Sequence, residues 1–143
     1  MIARFVLPDA LRTQLAAEAR AAYPRECCGL IEGVREADTA RALKLHPARN
    51  LASELDRFEI DPVAQFALLR ALRRTGHEVI GCYHSHPNGE AEPSPRDRDN
   101  AGEEGFVWLI IALDGQGKSA LAVFVAEKSE LRPIVIASSE EAA

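Results

Sequence analysis

Tyr83-His84-Ser85-His86-Pro87-Asn88-Gly89-Glu90-Ala91-Glu92-Pro93-Ser94-Pro95-Arg96-Asp97 holds a strand end, a turn and a helix start in one short stretch. Glu78 to His86 reads as the strand, and Pro87 stops it. Strand side chains repeat with period two, so His84 and His86 project from one face and can converge on a metal. Ser94-Pro95 begins a short helix, at whose start Asp97 can supply a third, oxygen ligand. Two histidines and a carboxylate leave the fourth position of a zinc ion open for water, as in catalytic rather than structural sites. A plainer reading stands beside this one. Histidine pairs also occur at polar loop entrances, and Ser94-x-x-Asp97 is by itself a capping box.

Working outward, the chain alternates strands and helices. Ile2 to Leu7 reads as a first strand, and Pro8-Asp9 opens a helix to about Ala22, with Leu11, Leu15, Ala19 and Ala22 on one face. Cys27 to Gly33 and Arg41 to His46 read as strands on either side of the polar stretch Arg35 to Thr39, with Phe58 to Ile60 as a candidate short strand. Asp61-Pro62 is a strong helix start. The set Ala64, Ala67, Leu68, Ala71 and Leu72 predicts a buried face opposite Arg70, Arg73 and Arg74, with Gly76 as C-cap. Phe106 to Leu113 is apolar on both faces and should be a central, covered strand. Asp114-Gly115-Gln116-Gly117 turns it into Ala120 to Ala126, and Pro133 assigns the last strand, Leu131 to Ala137, to a sheet edge. The expectation is α/β (α+β): one domain over residues 1–137, a mixed sheet with helices packed against it, and a frayed tail over 138–143.

Composition bounds the partners. At 143 residues the chain has the length of about one domain. Its net charge of −5 disfavours a general nucleic-acid or anionic-membrane binder. No apolar run approaches the roughly 18 residues that span a bilayer, and no secretion signal is visible at Met1. Three cysteines, Cys27, Cys28 and Cys82, do not make a disulfide framework, which favours a reducing, cytoplasmic compartment. At least one of Cys27 and Cys28 is expected to be buried, with a redox switch as the rival reading; Cys82 and Trp108 are expected in the core. His46 and His77 read as ordinary surface or loop histidines, and Asn50 as either a groove residue or a loop cap.

The joint pattern resembles the JAMM (MPN-plus) metallopeptidases. Their motif is an upstream Glu, then His-[Ser/Thr]-His-Pro, with seven residues between the second His and a Ser-x-x-Asp; His84-Ser85-His86-Pro87 and Ser94-Pro95-Arg96-Asp97 match that spacing. The upstream glutamate corresponds to Glu26, in Pro24-Arg25-Glu26-Cys27-Cys28-Gly29-Leu30. The resemblance, closest to the short prokaryotic JAB-domain type, spans residues 2 to about 136. It implies a curved-sheet MPN/JAB fold, related in outline to cytidine deaminases. It also implies Zn²⁺ held by His84, His86 and Asp97, Glu26 as general base and Ser94 as oxyanion donor. The substrate it implies is a ubiquitin-like or sulfur-carrier protein cut after a C-terminal Gly-Gly, in some members releasing cysteine. Members that cut ubiquitin chains carry inserted segments, for which this length leaves little room.

Two rivals use parts of the same pattern. A non-haem Fe(II) enzyme also takes two His and a carboxylate, but it leaves Glu26 and Ser94 without roles. A non-catalytic MPN scaffold lacks the metal ligands, whereas all five motif positions are present here. A zinc nucleobase deaminase needs His-x-Glu and Cys-x-x-Cys, and neither is present.

Overall fold

Among the described residues, seven strands form one mixed sheet that closes on itself. The computed structural model describes residues 1–138; the tail expected beyond Ser138 lies outside the described residues. In chain order the elements are β1 (Arg4–Val6), α1 (Asp9–Ala22), β2 (Cys28–Glu36), β3 (Thr39–Ala48), α2 (Pro62–Ala71), β4 (Glu78–His86), α3 (Pro95–Asp99), β5 (Val107–Leu113), β6 (Ser119–Glu127) and β7 (Glu130–Ala137). The strand order is β1-β3-β2-β4-β5-β6-β7, with β1 also pairing β7. The β1/β3, β1/β7 and β4/β5 pairs are parallel and the others antiparallel. The expected mixed sheet is present. No helix among the described residues is long and apolar enough to cross a membrane.

Several boundaries differ from expectation. The polar stretch Arg35 to Thr39 is mostly strand, because β2 and β3 pair as far as Glu36↔Thr39 and turn through Ala37-Asp38. Phe58 to Ile60 is not a strand; it contributes one isolated bridge, Asn50↔Ile60. Strand β7 is not simply an edge. Beyond Pro133, its residues Val135 to Ala137 pair with Arg4 to Val6, so the sheet closes where the proline no longer interferes. Helix α2 stops at Ala71 rather than running to Gly76, and Arg74 adopts positive φ in the turn that follows.

The buried face expected of α2 is not formed. Gln65, Leu68 and Leu72 are half-buried, whereas Ala64, Ala67 and Ala71 are exposed. Leu68 carries the contact with the sheet, because alanine methyls reach too little surface to compete.

Strand β5 has the predicted central position, every residue buried between β4 and β6. One of its faces, Val107, Leu109 and Ile111, joins Phe5, Leu15, Ile31 and Tyr83 in the larger core. The other, Trp108 and Ile110, joins Leu30, Cys82 and Phe124 in a second cluster. A register shift decides which face the histidines take. Ile31 pairs Gly81 but Glu32 pairs Val79, so Ile80 is an extra residue in β4. After this bulge the alternation restarts. Cys82 then joins Trp108, while Tyr83 turns to the larger core. There Tyr83 lies over Gly29, where an added Cβ would sit 2.3 Å from the ring, and its hydroxyl donates to Glu18 Oε1 of α1 at 2.7 Å.

Candidate metal centre

Strand β4 delivers His84 and His86 to the same face with no backbone distortion after the bulge. Both rings are buried, and their Nε2 atoms lie 2.8 Å apart. Helix α3 brings the third group. Ser94 is its N-cap: the hydroxyl oxygen accepts from Asp97 N–H at 3.0 Å, and Asp97 Oδ2 accepts from Ser94 N–H at 2.9 Å. The same Oδ2 lies 3.1 Å from His84 Nε2 and 3.2 Å from His86 Nε2. The plain reading of Ser94-x-x-Asp97 as a capping box is therefore correct, and the cap is also what turns the carboxylate toward the histidines.

These three atoms form a small triangle. A tetrahedral ion with ligands at about 2.0–2.1 Å spaces them about 3.3 Å apart, close to the separations present. His86 Nδ1 donates to the Glu90 carbonyl at 2.9 Å, so whenever the ring is neutral Nε2 carries the lone pair. Burial would lower the His86 pKa, but Asp97 and the Glu90 carbonyl outweigh it and hold it above its usual value until a cation takes the proton's place. Burial holds the His84 pKa below its usual value, against the pull of Asp97, so His84 stays neutral as a ligand must. Burial would raise the Asp97 carboxyl, but the two imidazoles set against it outweigh burial and keep it well below the usual carboxylate range, a partnership that a bound cation would take over. Two nitrogens and one carboxylate oxygen facing each other make a donor set that fits a small divalent cation.

Glu26 stands beside this triangle. It precedes β2 and is 6% exposed, and a carboxylate oxygen lies with the two histidine nitrogens in a group within 4.8 Å. Its pKa is pushed up to about 7, first by burial and then by Asp97 and Asp56, while His86 and Arg96 oppose. Two bonds to β4 fix the backbone of the next residue, Cys27. Ser85 Oγ accepts from Cys27 N–H at 2.8 Å, and Ser85 N–H donates to Cys27 C=O at 3.1 Å. Two cavities that Glu26 borders also reach the triangle. One of about 380 Å³ is lined by Glu26, Asp97, Phe58, Phe106 and Trp108. The other, of about 280 Å³, is lined by Glu26, His86, Glu90 and Glu92. Glu26 and Ser94 border both.

The structure thus brings together Glu26, His84, His86, Ser94 and Asp97. Cys82 and Trp108 are buried as expected, although Trp108 also borders the larger cavity. Cys28 is buried and Cys27 half-buried; burial raises their thiols to about 12 and about 11, which leaves both poorly reactive. His46 and His77 are more than bystanders, since each bonds one oxygen of Glu32, at 2.7 and 2.6 Å. Asn50 is a loop cap that also borders a cavity together with Glu26. Its Nδ2 donates to the carbonyls of Glu26 and Arg57, both at 3.0 Å, and its Oδ1 accepts from Ala52 N–H and Glu59 N–H. Sequence reasoning missed Phe58, whose ring stacks on His84 at 4.2 Å between centroids. The available signal was a single aromatic in the polar stretch Asp56-Arg57-Phe58-Glu59.

Comparison with known proteins gives the same picture. The chain is 38% identical over 94 residues to a protein named desampylase from Haloferax volcanii, a match covering 65% of this chain and 66% of that protein, just under two thirds of its length. It is 38% identical over 110 residues to a probable TtuB-protein conjugate cleaving protease from Thermus thermophilus, covering 76% of this chain and 70% of the other. The solution structure of a protein from Desulfitobacterium hafniense is similar at a TM-score of 0.83 and 30% identity, over 94% of this chain and 92% of that one. Residues 8–125, from the opening of α1 into β6, match the family of prokaryotic homologs of the JAB domain, and the chain belongs to that family.

Proposed function

We propose that this protein is a zinc-dependent hydrolase that cuts an amide or isopeptide bond after the C-terminal Gly-Gly of a ubiquitin-like or sulfur-carrier protein. The observation that carries the reading is the meeting of His84 Nε2, His86 Nε2 and Asp97 Oδ2 beside the buried carboxyl of Glu26. The substrate class is supported by the relatives, one named desampylase and one named for cleaving TtuB-protein conjugates. The free thiols Cys27, Cys28 and Cys82 support a reducing, cytoplasmic setting. Residues 1–137 are proposed to suffice for activity.

His84 and His86, each through Nε2, and Asp97, through Oδ2, would hold the ion. Zinc, when bound, supplies Lewis acidity, lowering the pKa of a bound water to about 7 and polarising a carbonyl. Glu26 takes the proton of the attacking water and passes it to the departing amine. Burial disfavours the charged form of this carboxyl, which suits a group that must hold the proton between the two transfers. Ser94 accepts the Asp97 N–H through its oxygen, which leaves its own O–H to donate to the carbonyl oxygen as charge builds there. As the water oxygen bonds to the carbonyl carbon and the C–N bond breaks, the products are a carrier ending in a Gly carboxylate and a free amine.

Metal analysis of the purified protein, combined with mass spectrometry of carrier conjugates ending in Gly-Gly or Ala-Ala, tests this. The expected result is one zinc per chain and cleavage of the Gly-Gly conjugate alone, because close backbone approach to the site leaves no room for a side chain. Equal rates on both would replace the carrier reading with a general peptide hydrolase. Absence of metal binding would remove the reading altogether.

A further inference from the structure

His84 and His86 are oriented by different means. His86 has a hydrogen-bond partner behind the ring, the Glu90 carbonyl. His84 has none, since its Nδ1 is buried without a partner. Ligand histidines normally donate that second N–H to a fixed acceptor, and loss of such a partner typically costs 10–100-fold in metal affinity. Around His84 the restraint is aromatic instead. Phe58 stacks on its ring with planes 21° apart, and Trp108 meets the ring edge-on at 88°.

Trp108 belongs to the central strand and has its own anchor, Nε1–H donating to the Ala101 carbonyl. Phe58 has no such element. It sits in the segment 51–60, outside every strand and helix, so its place depends on what ties that segment down. The tie is Asn50. A primary amide has two donor hydrogens and two acceptor lone pairs, and Asn50 uses all four on backbone groups. Two carbonyls on one side and two N–H groups on the other fix which way the amide points. Three of the bonds, to Ala52, Arg57 and Glu59, shape the loop on both sides of Phe58. The fourth reaches the Glu26 carbonyl. Arg25 adds a parallel link through its Nη2 to the Ala52 carbonyl at 2.7 Å.

We propose that Asn50 is a positioning residue for the reaction: its carboxamide joins the segment carrying Glu26 to the loop carrying Phe58, whose ring substitutes for the missing hydrogen-bond partner of His84. Asn50 spends its four bonds on backbone groups and none on a side chain of the five-residue motif. It sets the base and the first metal ligand relative to one another from behind, through groups outside the five-residue motif. Its catalytic consequence rests on the zinc-hydrolase reading, whereas the link from Asn50 to His84 does not.

Asn50→Asp is the informative change. It keeps the acceptor oxygen for Ala52 and Glu59 but sets a carboxylate oxygen against the carbonyls of Glu26 and Arg57. The site is half-buried, so the charge keeps access to water. Asn50→Ser, which adds no charge, makes the same comparison if the carboxylate is not tolerated, and Phe58→Leu removes the ring while keeping apolar bulk. The first readout is NMR of the imidazole protons in metal-free, histidine-labelled protein. The Asn50 variant and Phe58→Leu should each move the His84 resonances downfield as the stacked ring leaves, with His46 and His77 unmoved. The second is zinc affinity by chelator competition, expected to weaken about 10-fold or more in both. The third is turnover, expected to fall in kcat with KM nearly unchanged for Asn50→Asp. Parent-like His84 resonances in either variant would overturn the proposal. So would a lowered melting temperature with zinc affinity and kcat intact, the signature of a purely structural cap. If the parent itself binds no zinc, the hydrolase reading fails, while the NMR comparison still decides whether Asn50 orders His84.

Discussion

Glu26 should make the metal-free protein less stable than it would be with a neutral residue there. The carboxyl has a folded-state pKa of about 7 against an ordinary 4.5, chiefly because burial disfavours its charged form. Below pH 4.5 it is protonated in both states and costs nothing. Between 4.5 and 7 the unfolded chain ionises while the folded chain does not, so stability falls as pH rises. Above pH 7 the loss levels off at about 3 kcal/mol. Glu26→Gln removes this penalty and keeps the shape. At pH 8, with the metal stripped by a chelator, the variant should melt about 5–10 °C above the parent, taking roughly 3–4 °C per kcal/mol for a domain of this size and allowing for relaxation around the site. At pH 5 the penalty is only about 1 kcal/mol and the gap should shrink accordingly. With zinc bound the gap should narrow at every pH, because the cation favours the ionised carboxylate. Thermal melts of both proteins at the two pH values, with and without zinc, measure all of this. A gap independent of pH, or a parent more stable than Glu26→Gln at pH 8 without metal, would refute the reasoning.

Ser94→Ala should cost about 1 kcal/mol in urea unfolding through the lost N-cap. It should also lower turnover by on the order of 10²-fold or more through the lost oxyanion donor, whereas a cap role alone would leave turnover of the folded enzyme near normal. Gly29→Ala would place a Cβ 2.3 Å from the Tyr83 ring and should destabilise by about 1–3 kcal/mol or more, read as a lowered melting temperature. Thiol titration at pH 8 should find the native protein slow to react, since burial raises Cys27 to about 11, Cys28 to about 12 and Cys82 higher than usual, and should count three thiols on unfolding. Fast labelling of Cys27 in the native state would instead revive a redox role.

What could be read from sequence was local. The period of a strand puts His84 and His86 on one face, and Ser94-Pro95 starts a helix whether or not a metal is involved. The apolar run around Trp108 gives a central strand because only full burial makes such a run tolerable. What could not be read depends on distant partners. Closure of the sheet joins Arg4–Val6 to Val135–Ala137, nearly the whole chain apart, and no pattern within either segment encodes it. The bulge at Ile80 is invisible in an apolar strand, yet it decides which face carries the histidines. On α2 the apolar residues wrap much of the helix, and of the set that the periodicity picks out, Leu68 and Leu72 are half-buried while Ala64, Ala67 and Ala71 stay exposed. Val63 and Phe66 remain 74% and 63% exposed. Phe58 reads as part of a strand from its neighbours, whereas its loop is shaped by the bonds of Asn50 to Ala52, Arg57 and Glu59.

The central claim is that the histidine–aspartate triangle and Glu26 act together on an amide after Gly-Gly. Its most direct test is mass spectrometry of one carrier conjugate ending in Gly-Gly, incubated in parallel with zinc-loaded parent and zinc-loaded Glu26→Gln. The account predicts released carrier with a free Gly carboxylate from the parent, and a rate on the order of 10²–10⁴ lower from a variant that still holds one zinc per chain. Equal cleavage by the two proteins, or cleavage by parent stripped of metal, would contradict it.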